Sequence, residues 1–551
     1  FFGSFVLIWL AAAAPIGWIW PGTAGAIFVA LGVVDSRLAA RRRRLEGGLA
    51  HFEAGLARLE DRWAGQGRRG EEYAGADHPY AADLDIFGRA SLFELVATVQ
   101  TRPGEEMLAR WLTDPAGPPE IRRRQGAISD LRGRVDLREE LAVLSGDAAS
   151  RLKVETMSEW GSMGSQLPVR SIRWIAAALT ALMAASLAAW AWGPGAVPFL
   201  IVLVAQLIFM RAARDRVSKI TSAVDRSERE LAALAAIMAR LAREPVSSPR
   251  LSELRSALEQ GSRKLARLAR IVQLLDSSRN EMFLPVTFLL MWRTHVAFAI
   301  ESWRSAHGRE IPAWLAAVGE FEALGALAGY SFEHPDDPFP EIAEEGAVFE
   351  AEAIGHPLIP ESACVRNDLA FGARRVFIVS GSNMSGKSTL LRTIGINAVL
   401  AFAGAPVRAR RLRISLLSVG ATLRIQDSLQ AGTSRFFAEI TRLRRLVDLA
   451  AGPRPLLFLL DEILHGTNSH DRRIGAEAVI RELVSRGAIG LVTTHDLALA
   501  EAERSLDGRA ANVHFEDRIE NGRLIFDYRL REGVVTRSNA LELMRSIGLS
   551  V

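Results

Sequence analysis

Gly381-Ser382-Asn383-Met384-Ser385-Gly386-Lys387-Ser388-Thr389 follows the apolar run Val376-Phe377-Ile378-Val379. The stretch fits the phosphate-loop pattern G-x-x-x-x-G-K-[ST], and the run before it reads as a buried strand. Glycines let the backbone curl until successive N–H groups point at phosphate oxygens. The lysine neutralises β/γ charge and Ser388 offers a hydroxyl to Mg²⁺. Lysine is scarce in this chain, the others being Lys153, Lys219 and Lys264, so its presence in this frame is informative.

Two further apolar runs end in polar groups. Leu456 to Leu460 leads into Asp461-Glu462, and a strand that delivers adjacent carboxylates to its C-terminal tip supplies the second half of a nucleotide-hydrolysis site. Asp461 is expected to hold Mg²⁺ and Glu462 to polarise the attacking water. Ile489 to Thr494 is followed by His495, which is expected at the same sheet edge, bonded to the γ-phosphate. Between these runs, Gly432-Thr433-Ser434 passes into a helical stretch whose N-terminus would attract an anion. Short apolar runs alternating with amphipathic stretches over 340–551 predict a doubly wound α/β domain with a parallel sheet.

The chain has 551 residues, 49% of them hydrophobic, enough for several domains with at least one large core. A single cysteine, Cys364, excludes an intrachain disulfide and a cysteine-based zinc cluster. The net charge is +4 with a pI near 9.5, carried almost wholly by arginine, which permits an anionic partner without demanding one.

Two blocks are long and apolar enough to enter a bilayer. Residues 1–34 carry no charge, and Trp174 to Met210 is split by Gly193-Pro194-Gly195 into two halves with few polar residues. The second block predicts a transmembrane hairpin over 173–211, each half near the ~20 residues a span requires. Arg170 and Arg173 precede it and Arg211, Arg214 and Arg216 follow it, while Arg37 and Arg41 to Arg44 follow the first block. These flanks put both exits on the cytoplasmic side, as in a bacterial inner-membrane protein. The chain begins with Phe, so it reads as a fragment or processed form.

Residues 35–77 predict an amphipathic juxtamembrane helix and a loop, with Leu45, Leu49, Phe52, Leu56 and Leu59 at helical spacing. Residues 78–172 and 212–339 read as two halves of an all-α lever region, the second with Leu231, Leu234, Met238 and Leu241 on one face. Met282 to Trp292 reads as a core helix, and His334-Pro335-Asp336-Asp337-Pro338-Phe339-Pro340 marks a boundary.

Together, Gly381 to Thr389, Gly432 to Glu439, Asp461 to Thr467 and Thr493-Thr494-His495 resemble the ordered ATPase motifs of the MutS mismatch-repair family. Ser91 to Leu95, Thr101 to Gly104, Trp111-Leu112 and Arg124-Gln125 resemble the start of its core-lever domain. Gly355-His356-Pro357 and Asn367-Asp368 resemble the segment before its P-loop, and Asn521 to Leu549 its dimerising tail. The resemblance implies an ABC-like P-loop ATPase at the C-terminus, working with ATP and Mg²⁺ as a homodimer with composite sites. It implies that Asn383 shapes the phosphate loop, that Ser434 reaches the γ-phosphate of the partner's nucleotide and that Tyr528 stacks on adenine. Where the family often has an aromatic over the base, this chain has Cys364-Val365.

Other departures concern DNA. The family reads mismatches with an N-terminal Phe-x-Glu wedge, and here such triplets, Phe339-Pro340-Glu341 and Phe437-Ala438-Glu439, fall at the edge of the ATPase region and within it. The hairpin stands where the family inserts its DNA clamp. The leading expectation is therefore a membrane-anchored ATPase whose dimer and levers respond to ATP, acting on an unknown protein partner. The alternative is ATP-dependent binding of mismatched, branched or damaged DNA.

Overall fold

Apolar residues that are buried on both faces account for the central sheet of the C-terminal domain. In this computed structural model, which describes residues 19–75, 77–145, 154–163, 169–193, 195–222, 228–277, 284–382, 384–423, 435–464, 467–495, 506, 508–520 and 523–535, the strands β1 (Glu341–Ala343), β2 (Phe349–Ile354), β3 (Asn367–Ala370), β4 (Val376–Ser380), β5 (Arg411–Ser415), β6 (Ser418–Thr422), β7 (Leu456–Asp461), β8 (Ile489–Thr494), β9 (Ala510–Glu520) and β10 (Arg523–Glu532) form two sheets. The larger has the order β10-β9-β4-β8-β7-β6 and the smaller β1-β5-β2-β3. In the larger sheet all pairs are parallel except β9 with β10. Every residue of β4 and β8 is buried, which is why these strands read as unbroken apolar runs instead of alternating ones.

The strand order decides the site. β8 lies between the strand that feeds the P-loop and the strand that ends in the two carboxylates, with Ser380 opposite Thr494 and Asp461 opposite Thr493. The three C-terminal ends therefore lie side by side at one sheet edge, where ligands bind in open α/β sheets.

The region before the sheets is helical. Helices Arg102–Thr113 and Pro118–Leu131 both begin with proline in the first turn, and Thr101 caps the former by accepting from Gly104 N. Both rest on Lys387–Ala403, the helix that follows the P-loop, and on Ile311–Glu333. The crossing with Ile311–Glu333 is close enough that a Cβ on Gly319 would sit 2.5 Å from Pro103 O. Leu231, Leu234, Met238 and Leu241 are all buried on one face of Glu228–Arg243. One apolar core runs unbroken from these helices into the sheet domain.

Asp83 ties the two parts together. Its buried carboxylate accepts from Leu423 N at 2.9 Å, at the end of β6, and lies 3.3 Å from Arg442 Nη1 on helix Arg435–Ala450. Its backbone oxygen takes Nε of Arg392, on the helix after the P-loop, at 3.1 Å.

Helices Val169–Trp192 and Val197–Ser222 form the expected hairpin, and the tip uses left-handed Gly193 (φ 125°) and Gly195 (φ 88°). Both helices leave most of their apolar surface exposed: 17% of the most apolar part of the first and 11% of the second is buried. The helix Ile19–Leu59 runs through residue 34 without interruption. One expectation is corrected. Met282 to Trp292 is no core helix: a short helix, Leu284–Leu289, is followed by Met291 with φ 50°, and Val286 and Phe288 are exposed. Pro285 and the left-handed residue confine it to fewer than two turns.

Candidate functional site

Strand, loop and helix are joined at the P-loop as their sequence predicts. Gly381 lies at φ 153° and a Cβ there would meet Ser385 Oγ at 2.7 Å; Gly386 lies at φ 101°. These glycines permit the curl. Lys387 is buried at the start of its helix, and its Nζ donates to Gly381 O at 2.8 Å and Ser382 O at 2.9 Å. Burial lowers the Lys387 pKa below its ordinary value, opposed by the nearby Glu462 and Asp461 carboxylates.

Glu462 Oε1 lies 3.7 Å from Lys387 Nζ and 3.5 Å from His495 Nδ1. Glu462 itself adopts φ 46°, a conformation that non-glycine residues seldom hold without support from their surroundings. That support comes from Thr493. Its hydroxyl donates to Asp461 Oδ1 at 2.5 Å and accepts from Glu462 N at 3.0 Å, so one β8 side chain fixes both β7 acids. Leu464, at φ 61°, is held in turn by the fully buried Glu439, which accepts from Leu464 N. The carboxylate strand is thereby linked to helix Arg435–Ala450.

These groups open onto a cleft of about 790 Å³ lined by Lys387, Ser388, Asp461, Glu462, Tyr528 and His356. Cys364 and Val365 line it as well. Tyr528 reaches it because the register of β10 shifts between Phe526 and Leu530, and Tyr528 takes φ 53°. Asn367 holds this bulge from both sides: its Nδ2 donates to Tyr528 O at 3.0 Å and its Oδ1 accepts from Leu530 N at 2.7 Å. Glycine at 386 keeps room for the ring, since a Cβ there would be 3.0 Å from Tyr528 Cδ1.

The cleft fits a nucleotide triphosphate with Mg²⁺. Ser382 Oγ and Ser385 Oγ are buried without a hydrogen-bond partner, acceptor or donor groups suited to a phosphate-lined loop. Ser388 and Asp461 both line the cleft and supply the oxygen donors that Mg²⁺ requires. Thr389 lines it too, and Met384 stands 84% exposed at the loop crest with φ 73°. Asn383, Gly432, Thr433 and Ser434 lie outside the described residues, as does the tail beyond residue 535.

Sequence reasoning passed over Thr493, Glu439 and Asn367 as site residues, although each stood inside a quoted motif. It also passed over His356. That imidazole is buried beside the cleft and accepts from Leu358 N at 3.2 Å; burial, with Arg392 and Arg408 nearby, pushes its pKa down to about 4. No local periodicity marks Thr493, Glu439 or Asn367, because their partners lie far away in the chain.

Residues 377–550 match the family described as MutS domain V. Over 242 residues the chain is 31% identical to the DNA mismatch repair protein MutS of Geobacillus thermodenitrificans, covering 43% of this chain and 26% of that protein. It is 32% identical over 206 residues to Endonuclease MutS2 of Thermus thermophilus, covering 37% and 27% respectively. Identity reaches 34% over 243 residues with DNA mismatch repair protein MutS 2 of Halobacterium salinarum, covering 42% and 27%. The matches thus span about a quarter of the length of these curated relatives.

Proposed function

We propose that this chain, whose C-terminal part matches MutS domain V, is a membrane-anchored, Mg²⁺-dependent ATPase of the MutS family whose nucleotide state is passed to the helical region. The observation that carries the reading is the convergence of Lys387, Asp461, Glu462 and His495 at one sheet edge, on a domain whose helical part ends in a largely exposed apolar hairpin.

In this mechanism the P-loop and Lys387 hold the β- and γ-phosphates, and Ser388 and Asp461 would hold Mg²⁺, whose charge would offset that of the phosphates. Glu462 orients the attacking water. His495, beside Glu462, would bond the γ-phosphate and register its loss. Tyr528 stacks on the base. Ser434 of a second copy completes the site in trans, so that ATP closes a homodimer and hydrolysis releases it. Two routes lead outward: Glu439, which couples the acid-bearing strand to helix Arg435–Ala450, and Asp83, which contacts that helix and the P-loop helix from the lever side.

Membrane anchoring is supported by the hairpin. Ile172–Trp192 has 21 residues, about 30 Å of helix, close to the thickness of a hydrocarbon core. Trp174 and Trp192 are 74% and 87% exposed at its two ends, the levels at which tryptophan favours a membrane interface. The arginine flanks favour an ATPase domain on the cytoplasmic side.

The purified full chain in detergent tests the chemistry. Glu462→Gln is expected to lower ATP turnover about 100-fold or more while ATP binding persists. Unchanged turnover would show that Glu462 does not orient the water.

A second reading rests on the relatives' names, which describe DNA mismatch repair proteins: ATP-dependent binding of mismatched, branched or damaged DNA. Salt-dependent retention of branched DNA by the same preparation would favour it.

A further inference from the structure

Among the described residues, helix Ile19–Leu59 meets its own chain along one side. Gly48 is buried against helix Val135–Ser145, where a Cβ would sit 2.9 Å from Glu139 Oε1, and Arg58 pairs with Glu333 at 2.7 Å. An adjoining face carries Leu38, Leu45, Leu49, Phe52, Leu56 and Leu59, each between 45% and 67% exposed. From Leu45 onward the spacing is four, three, four, three. That alternation averages 3.5 residues and is the heptad seam of a coiled coil, with Leu38, Leu45, Phe52 and Leu59 at d, Leu49 and Leu56 at a, and Arg42, paired with Glu46 of its own helix at 2.7 Å, as the one charged a position.

The charges beside the seam separate the possible occupants. The position after each d residue is glutamate: Glu46, Glu53 and Glu60. A helix lying on an anionic membrane surface places lysine and arginine along its apolar border, so this border favours a protein partner. An antiparallel copy would set one column of glutamates against the other. A parallel copy sets Arg41, at g, against the partner's Glu46, at e, and avoids that repulsion. The seam also borders a groove of about 660 Å³ whose other walls include Val143, Leu144, Arg240 and Arg243.

We propose that residues 38–59 form a parallel two-stranded coiled coil with the same helix of a second copy of this chain. The contact is separate from the nucleotide site and does not depend on the ATPase reading. It would keep two ATPase domains together through the open part of their cycle, raising their effective concentration for one another.

The test is site-directed disulfide formation in the full chain, in detergent, without nucleotide, with the parent protein and its Cys364 as background. Leu49→Cys and Leu56→Cys are expected to give on the order of ten-fold more covalent dimer than Ala50→Cys on the outer face, because a-position Cβ atoms of parallel helices lie within disulfide reach. Equal yields at the three positions would overturn the proposal. So would crosslinking only between different positions, which indicates antiparallel helices, or burial of Leu49→Cys in lipid vesicles without dimer. Leu49→Glu combined with Leu56→Glu is expected to shift the nucleotide-free protein from dimer to monomer in light scattering. An unchanged mass would count against the seam, whereas the exposure of both side chains leaves the monomer's core undisturbed.

Discussion

The hairpin and the stretch Trp292–Glu333 are alike in composition and opposite in setting. All three of their apolar windows are long and hydrophobic enough to cross a bilayer, with mean hydropathy of 1.7 and 1.8 in the hairpin and 1.3 in Trp292–Glu333. Yet the hairpin windows are 17% and 11% buried and the third is 72% buried. The difference lies in what interrupts the apolar surface. Helix Ile311–Glu333 carries Glu320 and Glu322, which find partners in Arg250 and in Thr101, and Gly319 and Gly104 let two backbones meet. Paired charges and small residues equip a helix for a protein core. The hairpin instead presents Trp174, Leu182, Leu200, Val204 and Leu207 outward. Total hydrophobicity says that a helix must leave water; the distribution of the rest says what it enters.

This contrast can be broken at three points. The largest effect is expected from Leu324→Asp, which buries an unpaired carboxylate in the helix that supports both lever and sheet. A cost of about 4 kcal/mol or more should abolish cooperative thermal unfolding and nucleotide binding together. A mild effect would mean that this helix is not the core element described above. Next comes Leu207→Asp, on an exposed face of the hairpin. It should weaken insertion by about 3 kcal/mol, read as movement from the membrane to the soluble fraction, while ATP binding survives in detergent. If Leu207→Asp unfolds the ATPase domain as Leu324→Asp does, the hairpin is a core element and the contrast fails.

The smallest effect belongs to Gln206, a buried polar residue of the hairpin. It is 1% exposed and donates to Leu179 O at 3.2 Å and Leu289 O at 3.3 Å, so it joins the two helices to the short helix beyond. Gln206→Leu should cost about 1 kcal/mol, the ordinary worth of a hydrogen bond between apolar helices, seen as a modest fall in thermal midpoint without loss of membrane association. No change would mean that packing alone holds the hairpin to Leu284–Leu289.

Much of the candidate site was legible because its parts are local. A strand, a glycine loop and a helix N-terminus must follow one another to cradle phosphate, so Gly381 to Thr389 announces itself. The acids at Asp461-Glu462 and the imidazole of His495 were legible for a similar reason, as polar groups ending apolar runs. The seam of Leu45 to Leu59 was visible as periodicity, but the sequence does not distinguish a face that packs inward from one left exposed. Nor does it announce that the helix continues past residue 34, since the shift from apolar to charged residues marks a change of surroundings rather than of backbone.

What the sequence alone determined is the chemistry at each strand end and the amount of apolar surface to be removed from water, because these follow from residue types and short spacings. Only the tertiary structure decided which strand ends adjoin, that Thr493 holds both acids in place, that Asn367 presents Tyr528 to the cleft and which apolar helices are covered. Those outcomes depend on contacts between segments far apart in the chain, made once the sheet order β4-β8-β7 and the helix crossings fix which side chains share a boundary.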